Sequence, residues 1–523
     1  MDTLFSGKSA LILDKQLEDL RSLHAILGSL GFGEVRVASS VNMALNMLCE
    51  RPVDICFLSY ELGHDEKNGL QLLLELQMEG KRLHTGCYVL VIEPEHPERL
   101  LGSPENTPDI YISKPYAKER LRTQLEKLMR LKRSVFPVEQ LLDQGSWQKA
   151  LAQCDLIGGQ HPELKNYLQR LKGVTLLRQG RLESALRVFS ALLKEQDQPW
   201  IRIGLAIAAC RSGWFGRARE QLDRVIVQQQ VCVEAFLWRA RLYRLEGALS
   251  EAQTLLHRAV VQQPAVALLQ GELANVAAMT GALGLSIDAF RAAIRYSRYS
   301  AFQHPDYYVG LVRMLMLRMK GTHETESREA EEEAIRVLEQ AQRDCLEEPV
   351  IQFRARLIAC EVYGAAGNQA LADRAAHEAL QLFGGLALDE QALWFDQLFE
   401  GIEHTKVAEE ARQGRQALTR QLARLSWGCA NLRGMQQYRN GELADACDSF
   451  QMAWQQQPAS VSIGLNLVQA HLELMRRDRV ASREPLAHCE EVMHGIQYAA
   501  LTLKQQQRYL GLEQRLAVCA AMC

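Results

Sequence analysis

The chain has 523 residues, 47% apolar and 24% charged, with a net charge of −3. That length exceeds what a single core organises, so roughly two to four domains are expected, and the near-neutral charge excludes both the basic footprint of a nucleic-acid-binding protein and the acidic bias of a disordered tail. No window approaches the ~20 apolar residues that cross a bilayer.

Met1 leads into Asp2-Thr3 and a strand-like run from Lys8 to Leu13, without the basic start and apolar core of a signal peptide, so a cytoplasmic protein with no membrane insertion is expected. Up to about residue 133, short β-type runs alternate with amphipathic stretches of helix length. The strands are Ser9–Leu13, Val35–Ala38, Asp54–Ser59, Tyr88–Ile92 and Ile110–Ile112; the helices are Leu17–Leu30, Val41–Glu50, Gly69–Met78 and Lys118–Lys132. Five strands alternating with helices predict a doubly wound parallel sheet with its functional crevice at the carboxyl ends of the strands. The helix expected before the fifth strand is shortened: His96 to Leu101 runs into Gly102-Ser103-Pro104 and Pro108, which leaves room for one or two turns.

Beyond Val135 the β signals vanish and helices of ~12 to 16 residues follow one another. Gly145, Gly180, Gly213, Gly247 and Gly281 fall 35, 33, 34 and 34 residues apart. Five residues after them come Ala150, Ala185, Ala218, Ala252 and Ser286, and four further on Cys154, Phe189, Leu222, Leu256 and Phe290. A glycine at a turn permits positive φ, a small residue lets two helices approach, and a larger one fills the groove between them. This pattern resembles the tetratricopeptide repeat, a 34-residue helix-turn-helix. Tyr243, Gly247, Ala252, Leu256, Ala259 and Pro264 match it in one unit, and Gly434, Gly441, Ala446, Phe450, Ala453 and Pro458 in another. The register is lost between Pro305 and Pro349, where an insertion lengthens one helical pair, and resumes at Tyr363, Gly367, Ala372 and Ala379. Asp389 to Leu425 is helical but off-pattern, and helices from Ser460 to Leu516 are expected to cap the array.

The first ~125 residues resemble the receiver domain of two-component response regulators. The resemblance implies an acceptor aspartate after the third strand, an acidic pair after the first that helps it hold Mg²⁺, a hydroxyl residue after the fourth and a lysine after the fifth. Asp14-Lys15 stands in the place of the acidic pair, Ser59 in that of the acceptor, and Glu93 in that of the hydroxyl residue; Lys114 keeps the family form, with Tyr111 three residues earlier as the candidate switch aromatic. An ungapped alignment places Glu61 at the acceptor position instead, at the cost of pushing Ser59-Tyr60 into the strand. The charges of Asp14, Lys15, Glu93 and Lys114 sum to zero, a set that can pair internally without a metal. The expectation is therefore a degenerate pocket with Mg²⁺ binding lost or weak, no other cofactor, and no metal site.

The thirteen cysteines contain no Cys-x-x-Cys pair and read as buried thiols. No P-loop, Gly-x-Ser-x-Gly elbow or His-Glu-x-x-His helix occurs, so no enzymatic activity is expected. The expected division is 1–133 receiver-like, 134–300 repeat array, 301–345 an irregular or extended helical pair, and 346–523 further repeat-like and capping helices. A repeat groove binds peptides or helices without chemistry. The function this implies is a bacterial-type signalling adaptor working without phosphorylation, with protein partners such as a sensor kinase, a motility or pilus component or another regulator, no nucleic acid, and homodimerisation left open. Two alternatives stand beside it: a conventional phosphorylated regulator with its acceptor displaced to Glu61, Asp54 or Asp65, and an assembly chaperone carrying an inert receiver.

Overall fold

The computed structural model describes residues 4–63, 66–93, 105, 107–227, 232–298, 300–321, 323–422, 424–478 and 482–521. The chain forms an α/β domain followed by an all-α repeat body. It divides into two compact units, one of Met1–Arg239, Leu255–Leu269 and Tyr299–Phe302, the other of Ala240–Thr254, Gln270–Arg298 and Gln303–Cys523.

The α/β domain holds β1 (Ser9–Leu13), α1 (Leu17–Leu30), β2 (Glu34–Ala38), α2 (Val41–Glu50), β3 (Ile55–Ser59), α3 (Gly69–Met78), β4 (Cys87–Ile92) and β5 (Ile110–Ser113), closed by α4 (Lys118–Asp143). All pairings are parallel and the strand order is β2-β1-β3-β4-β5, the flavodoxin-like doubly wound order. The period of two along each strand builds two core layers. Ala10, Ile12, Ile55, Phe57, Val89 and Val91 pack beneath Leu20, Leu23 and Leu27 of α1 and Leu121, Leu125 and Leu128 of α4. Leu11, Leu13, Cys56, Leu58, Tyr88 and Leu90 pack against Leu45 of α2 and Leu72, Leu73 and Leu76 of α3. Asn68 starts α3 with a capping box, accepting from the Gln71 amide while the Gln71 side chain accepts from the Asn68 amide. Gly69 follows, because a Cβ there would lie 2.7 Å from the Leu58 Cβ. The shortened helix expected at His96–Leu101 lies outside the described residues.

The strands follow the sequence reading to within a residue. The closing helix does not stop at Lys132: α4 continues through Pro137 to Asp143, ~39 Å of one helix that serves the sheet at one end and the first repeat at the other.

The repeat body comprises α5 (Trp147–Gln160), α6 (Lys165–Arg178), α7 (Leu182–Glu195), α8 (Pro199–Arg211), α9 (Phe215–Val227), α10 (Val233–Leu245), α11 (Leu249–Gln262), α12 (Ala267–Thr280), α13 (Leu283–Ser297), α14 (Pro305–Met319) and α15 (Glu324–Asp344). It goes on with α16 (Pro349–Ala365), α17 (Gln369–Gly384), α18 (Leu388–Gly401), α19 (Val407–Leu422), α20 (Ser426–Arg439), α21 (Leu443–Gln456), α22 (Val461–Asp478), α23 (Arg483–Gly495) and α24 (Leu503–Ala520). The periodic glycines at 145, 180, 213, 247, 281, 367 and 441 all have φ between 67° and 80°, the left-handed conformation that turns one helix into the next. The small residues five positions on are buried: Ala185, Ala218, Ala252 and Ala446 are fully enclosed. The stretch 301–345, read as an irregular or extended helical pair, holds the helical pair α14 and α15, the latter extended to 21 residues.

The larger knob has a counterpart that the spacing did not show. The Phe189 ring of α7 enters a slot made by two glycines: a Cβ on Gly173 of α6 would stand 2.7 Å from it, and one on Gly204 of α8 2.6 Å. Phe290 meets Gly310 and Phe450 meets Gly434 in the same way, at 2.6 and 2.8 Å. Pro264 is half-buried and Pro458 exposed after their helices. No helix among the described residues is long and apolar enough to cross a membrane.

These contacts separate two kinds of helical glycine. Gly204→Val should lower stability by about 2–3 kcal/mol through overpacking against Phe189. Gly28→Ala, in α1 where a Cβ meets nothing within 4 Å, should raise it by about 0.5–1 kcal/mol. Thermal unfolding of the two variants checks the opposite signs.

Candidate functional site

At the carboxyl ends of the strands, Asp14 follows β1 and Ser59 ends β3, on either side of the point where the order of strand connection reverses. Asp14 is buried, and its Oδ1 accepts from the Gln16 amide at 3.0 Å. Lys114, just past β5, reaches back across the ends of β4 and β3 to place its Nζ 2.9 Å from Asp14 Oδ2 and 2.6 Å from Asp19 Oδ2 of α1. Burial works against the Lys114 ammonium, but its hydrogen bonds to Asp19 and Asp14 more than offset that, and its pKa lies above the ordinary lysine range. Asp19 was not singled out in the sequence; its only signal there was an acidic residue in the first turn of α1.

The other pocket residues are arranged differently from the expected internal pairing. Lys15 turns outward to Glu66 in the β3–α3 loop, 2.5 Å away and exposed. Ser59 is buried and donates weakly to the Glu61 carbonyl at 3.4 Å. Glu93 follows β4, half-buried. The neutral set is thus broken up, and the closed group is Asp14, Lys114 and Asp19. Tyr111 lies in β5 against the α2–α3 core layer. Of the alternative acceptors, Glu61 is exposed beyond β3, while Asp54 stands at the opposite, amino end of β3, bound by Lys8 Nζ at 2.6 Å and by the Ser9 amide at 2.9 Å. Asp65 lies outside the described residues.

Next to Ser59, Tyr60 points toward the repeats: its hydroxyl accepts from Gln263 Nε2 at 3.3 Å, and burial pushes its pKa up to about 12. A larger junction lies beneath the amino ends of β4 and β5. Lys132 Nζ, buried on α4, donates to Glu139 Oε1 at 2.7 Å and to the His84 carbonyl at 2.6 Å, and stands 3.5 Å from Asp109 Oδ1. Tyr167 of α6 donates to the same Glu139 oxygen at 2.6 Å. Burial disfavours the Lys132 ammonium, yet Asp109 and Glu139 beside it hold its pKa above the ordinary lysine range. Asp143, at the end of α4, accepts from the His84 and Thr85 amides at 2.6 and 3.1 Å. Arg82 lies over the Tyr88 ring at 5.2 Å and donates to the Thr107 carbonyl at 2.9 Å, and Arg178 of α6 is 3.8 Å from Glu105. The α/β domain and the first repeats therefore share one buried polar network.

Among the described residues, no group of three or more His, Cys, Asp or Glu side chains is arranged to hold a metal ion. The cysteines are buried apart from Cys49 and Cys429; Cys523 lies outside the described residues.

No protein-family model matches the chain, and no curated protein does. Among solved structures it is similar to NtrX from Brucella abortus, at 20% identity and a TM-score of 0.22, over 26% of this chain and 29% of that one; the chain thus spans under a third of NtrX. It is also similar to a tetratricopeptide repeat protein from Parabacteroides merdae, at 15% identity and a TM-score of 0.33, over 48% of this chain and 93% of that one. A further likeness is to YrrB, described as a TPR protein with an unusual peptide-binding site, at 14% identity and a TM-score of 0.31, over 37% and 91% of the two chains. At these values nothing functional follows from the likenesses.

Lys132→Met should cost about 3–5 kcal/mol by leaving Glu139 and Asp109 buried without their cation; adding Glu139→Gln should return more than half of the loss, as read by chemical denaturation. His84 gives the junction a pH dependence. Burial, with Arg178 nearby, pushes its pKa down to about 4 from the usual 6.5. The fold therefore favours the neutral ring; its contribution is complete above pH ~6.5 and is lost as pH falls from there to ~4. The unfolding temperature should drop more steeply across that window in the unsubstituted chain than in His84→Gln.

Proposed function

We propose that the chain is a signalling adaptor of two-component type, in which a receiver-like domain that works without phosphorylation is built onto a tetratricopeptide scaffold for protein partners. One observation carries the reading: Lys114, the lysine that keeps the family form, is already neutralised by Asp14 and Asp19; beside it, a serine, Ser59, occupies the acceptor's place. In a working receiver that lysine is available to the phosphoryl oxygens. Here, releasing it would leave a buried carboxylate at Asp14 without its partner, a cost of several kcal/mol.

The donor set does not fit Mg²⁺ either. That ion takes six oxygens in near-octahedral geometry, several from water and one or two from carboxylates. At this site Asp14 gives one oxygen to the Gln16 amide and faces the Lys114 ammonium with the other at 2.9 Å, so a cation already stands where the ion would be, and the second acidic position carries Lys15, held away by Glu66. The division into a receiver at 1–133 and repeats beyond it is part of the same proposal, as are the absence of enzymatic activity, a cytoplasmic setting, and a partner that is a sensor kinase, a motility or pilus component or another regulator. Through α4 and the Lys132 network the domain is docked to the repeats, which supports a receiver serving as a fixed part of the scaffold.

Calorimetric titration of the full chain with Mg²⁺ and beryllofluoride should show no saturable binding, and acetyl phosphate should label no residue. The triple substitution Lys15→Asp, Ser59→Asp, Glu93→Thr should recover Mg²⁺ binding. Tight binding by the unsubstituted chain that disappears in Asp14→Ala would overturn the proposal, and a phosphoryl group mapped to Glu61 would favour a displaced acceptor.

A further inference from the structure

Three residues at the same position of successive helices converge on one segment of the chain. Arg241, Asn275 and Arg313 are each the ninth residue of their helix, α10, α12 and α14. Arg241 forks the Glu490 carboxylate at 2.6 and 2.7 Å. Asn275, buried, accepts from the Ala499 amide at 3.1 Å and donates to the Gln497 side-chain carbonyl. Arg313 donates to the Ala500 carbonyl at 3.2 Å. The helices after Ser460, expected to cap the array, thus also lay the stretch from Glu490 onward along α10, α12 and α14.

The contacts at the centre of this segment are of the kind a groove makes with a peptide. Gln497 and Leu501 are extended, on either side of a single 3₁₀ turn at Tyr498–Ala500. Asn275 and Arg313 read the backbone of two alanines there, the Ala499 amide and the Ala500 carbonyl, with Ala499 fully enclosed; Asn275 adds one side-chain contact, to Gln497. Beyond Leu501 the groove stays open as a cleft of about 430 Å³, lined by Met316, Leu317 and Lys320 of α14 and by Leu503 and Lys504. Leu317 and Leu503 expose 39% and 56% of their surface there.

We propose that Gln497–Leu501 is a built-in ligand of the groove, and that protein partners bind as extended peptides of the same backbone-read kind, which enter at the cleft and displace it. The proposal rests on the repeat body being a protein-binding scaffold. A segment tethered in the same chain has an effective concentration of order millimolar, so it outcompetes a free peptide of equal affinity. Only a partner that adds contacts, such as those the open cleft offers, gains access.

The test uses the full chain and a fluorescent peptide of sequence His494–Lys504. Ala499→Arg should expel the segment while leaving the groove residues intact, and the variant should bind the peptide at least tenfold more tightly than the unsubstituted chain. Ala499→Arg with Asn275→Ala should lose that gain. If Ala499→Arg keeps its helical circular dichroism and binds no peptide, or if it loses the helices altogether, the segment is permanent core and the proposal falls. Failure of the scaffold reading has a separate signature: no cellular protein co-purifies with either the unsubstituted chain or the variant.

Discussion

The first unit depends on one buried ammonium. Lys132 sits on a helix shared by the sheet and the first repeat, and its three oxygen neighbours come from different elements: the turn before β4, the residue before β5, and Glu139 one further stretch along α4. Removing such a charge from water is costly, and that cost is recovered only while every partner stays in place. Tyr167 extends the same requirement to α6. A displacement of the α/β domain against the first repeats would strand either the lysine or the carboxylates, so the junction favours a single arrangement.

The two ends of the sheet are therefore committed in different ways. At the carboxyl end, where such a fold normally places changeable chemistry, Lys114 is closed onto Asp14 and Asp19, and Ser59 offers no carboxylate. At the amino end, α4 and α6 hold the domain through Lys132, Asp143 and Arg178. Transmission between sites needs an element with two discrete arrangements that both sites bias. Among the described residues, both ends of the sheet are instead pinned by buried ion pairs.

Much of this was legible in the sequence because it rests on local rules. Short apolar runs mark the buried strands, the 34-residue spacing of glycines marks the turns with φ near 70°, and the small residues five positions on mark the close helix contacts. What stayed hidden was pairing across long separations. The helix expected to end at Lys132 runs on through Pro137 to Asp143, held by Lys132–Glu139 and by Asp143. Within the set Asp14, Lys15, Glu93 and Lys114 the charge sum is silent on Asp19 and Glu66, which with Asp14 decide where both lysines go. Gly173 and Gly204 carry no signal in the 34-residue pattern, and only the arrival of Phe189 from another helix requires them.

The same limit explains why a groove could be expected from the repeat pattern but its occupant could not. Arg241, Asn275 and Arg313 are unremarkable polar residues on their own helices, and Gln497-Tyr498-Ala499-Ala500-Leu501 carries no motif. Arg241 is matched to the Glu490 side chain, but the other two contacts leave almost no trace in side-chain identity: Asn275 requires an amide and Arg313 a carbonyl, which every residue but proline supplies in full. What the sequence does retain is the requirement for small side chains where the backbone must approach closely, and the paired alanines at 499 and 500 meet it. Under the proposed displacement, backbone access and small residues constrain a partner little, and selectivity comes from the cleft beyond Leu501, whose edge carries Lys320 and the Lys504–Glu400 pair.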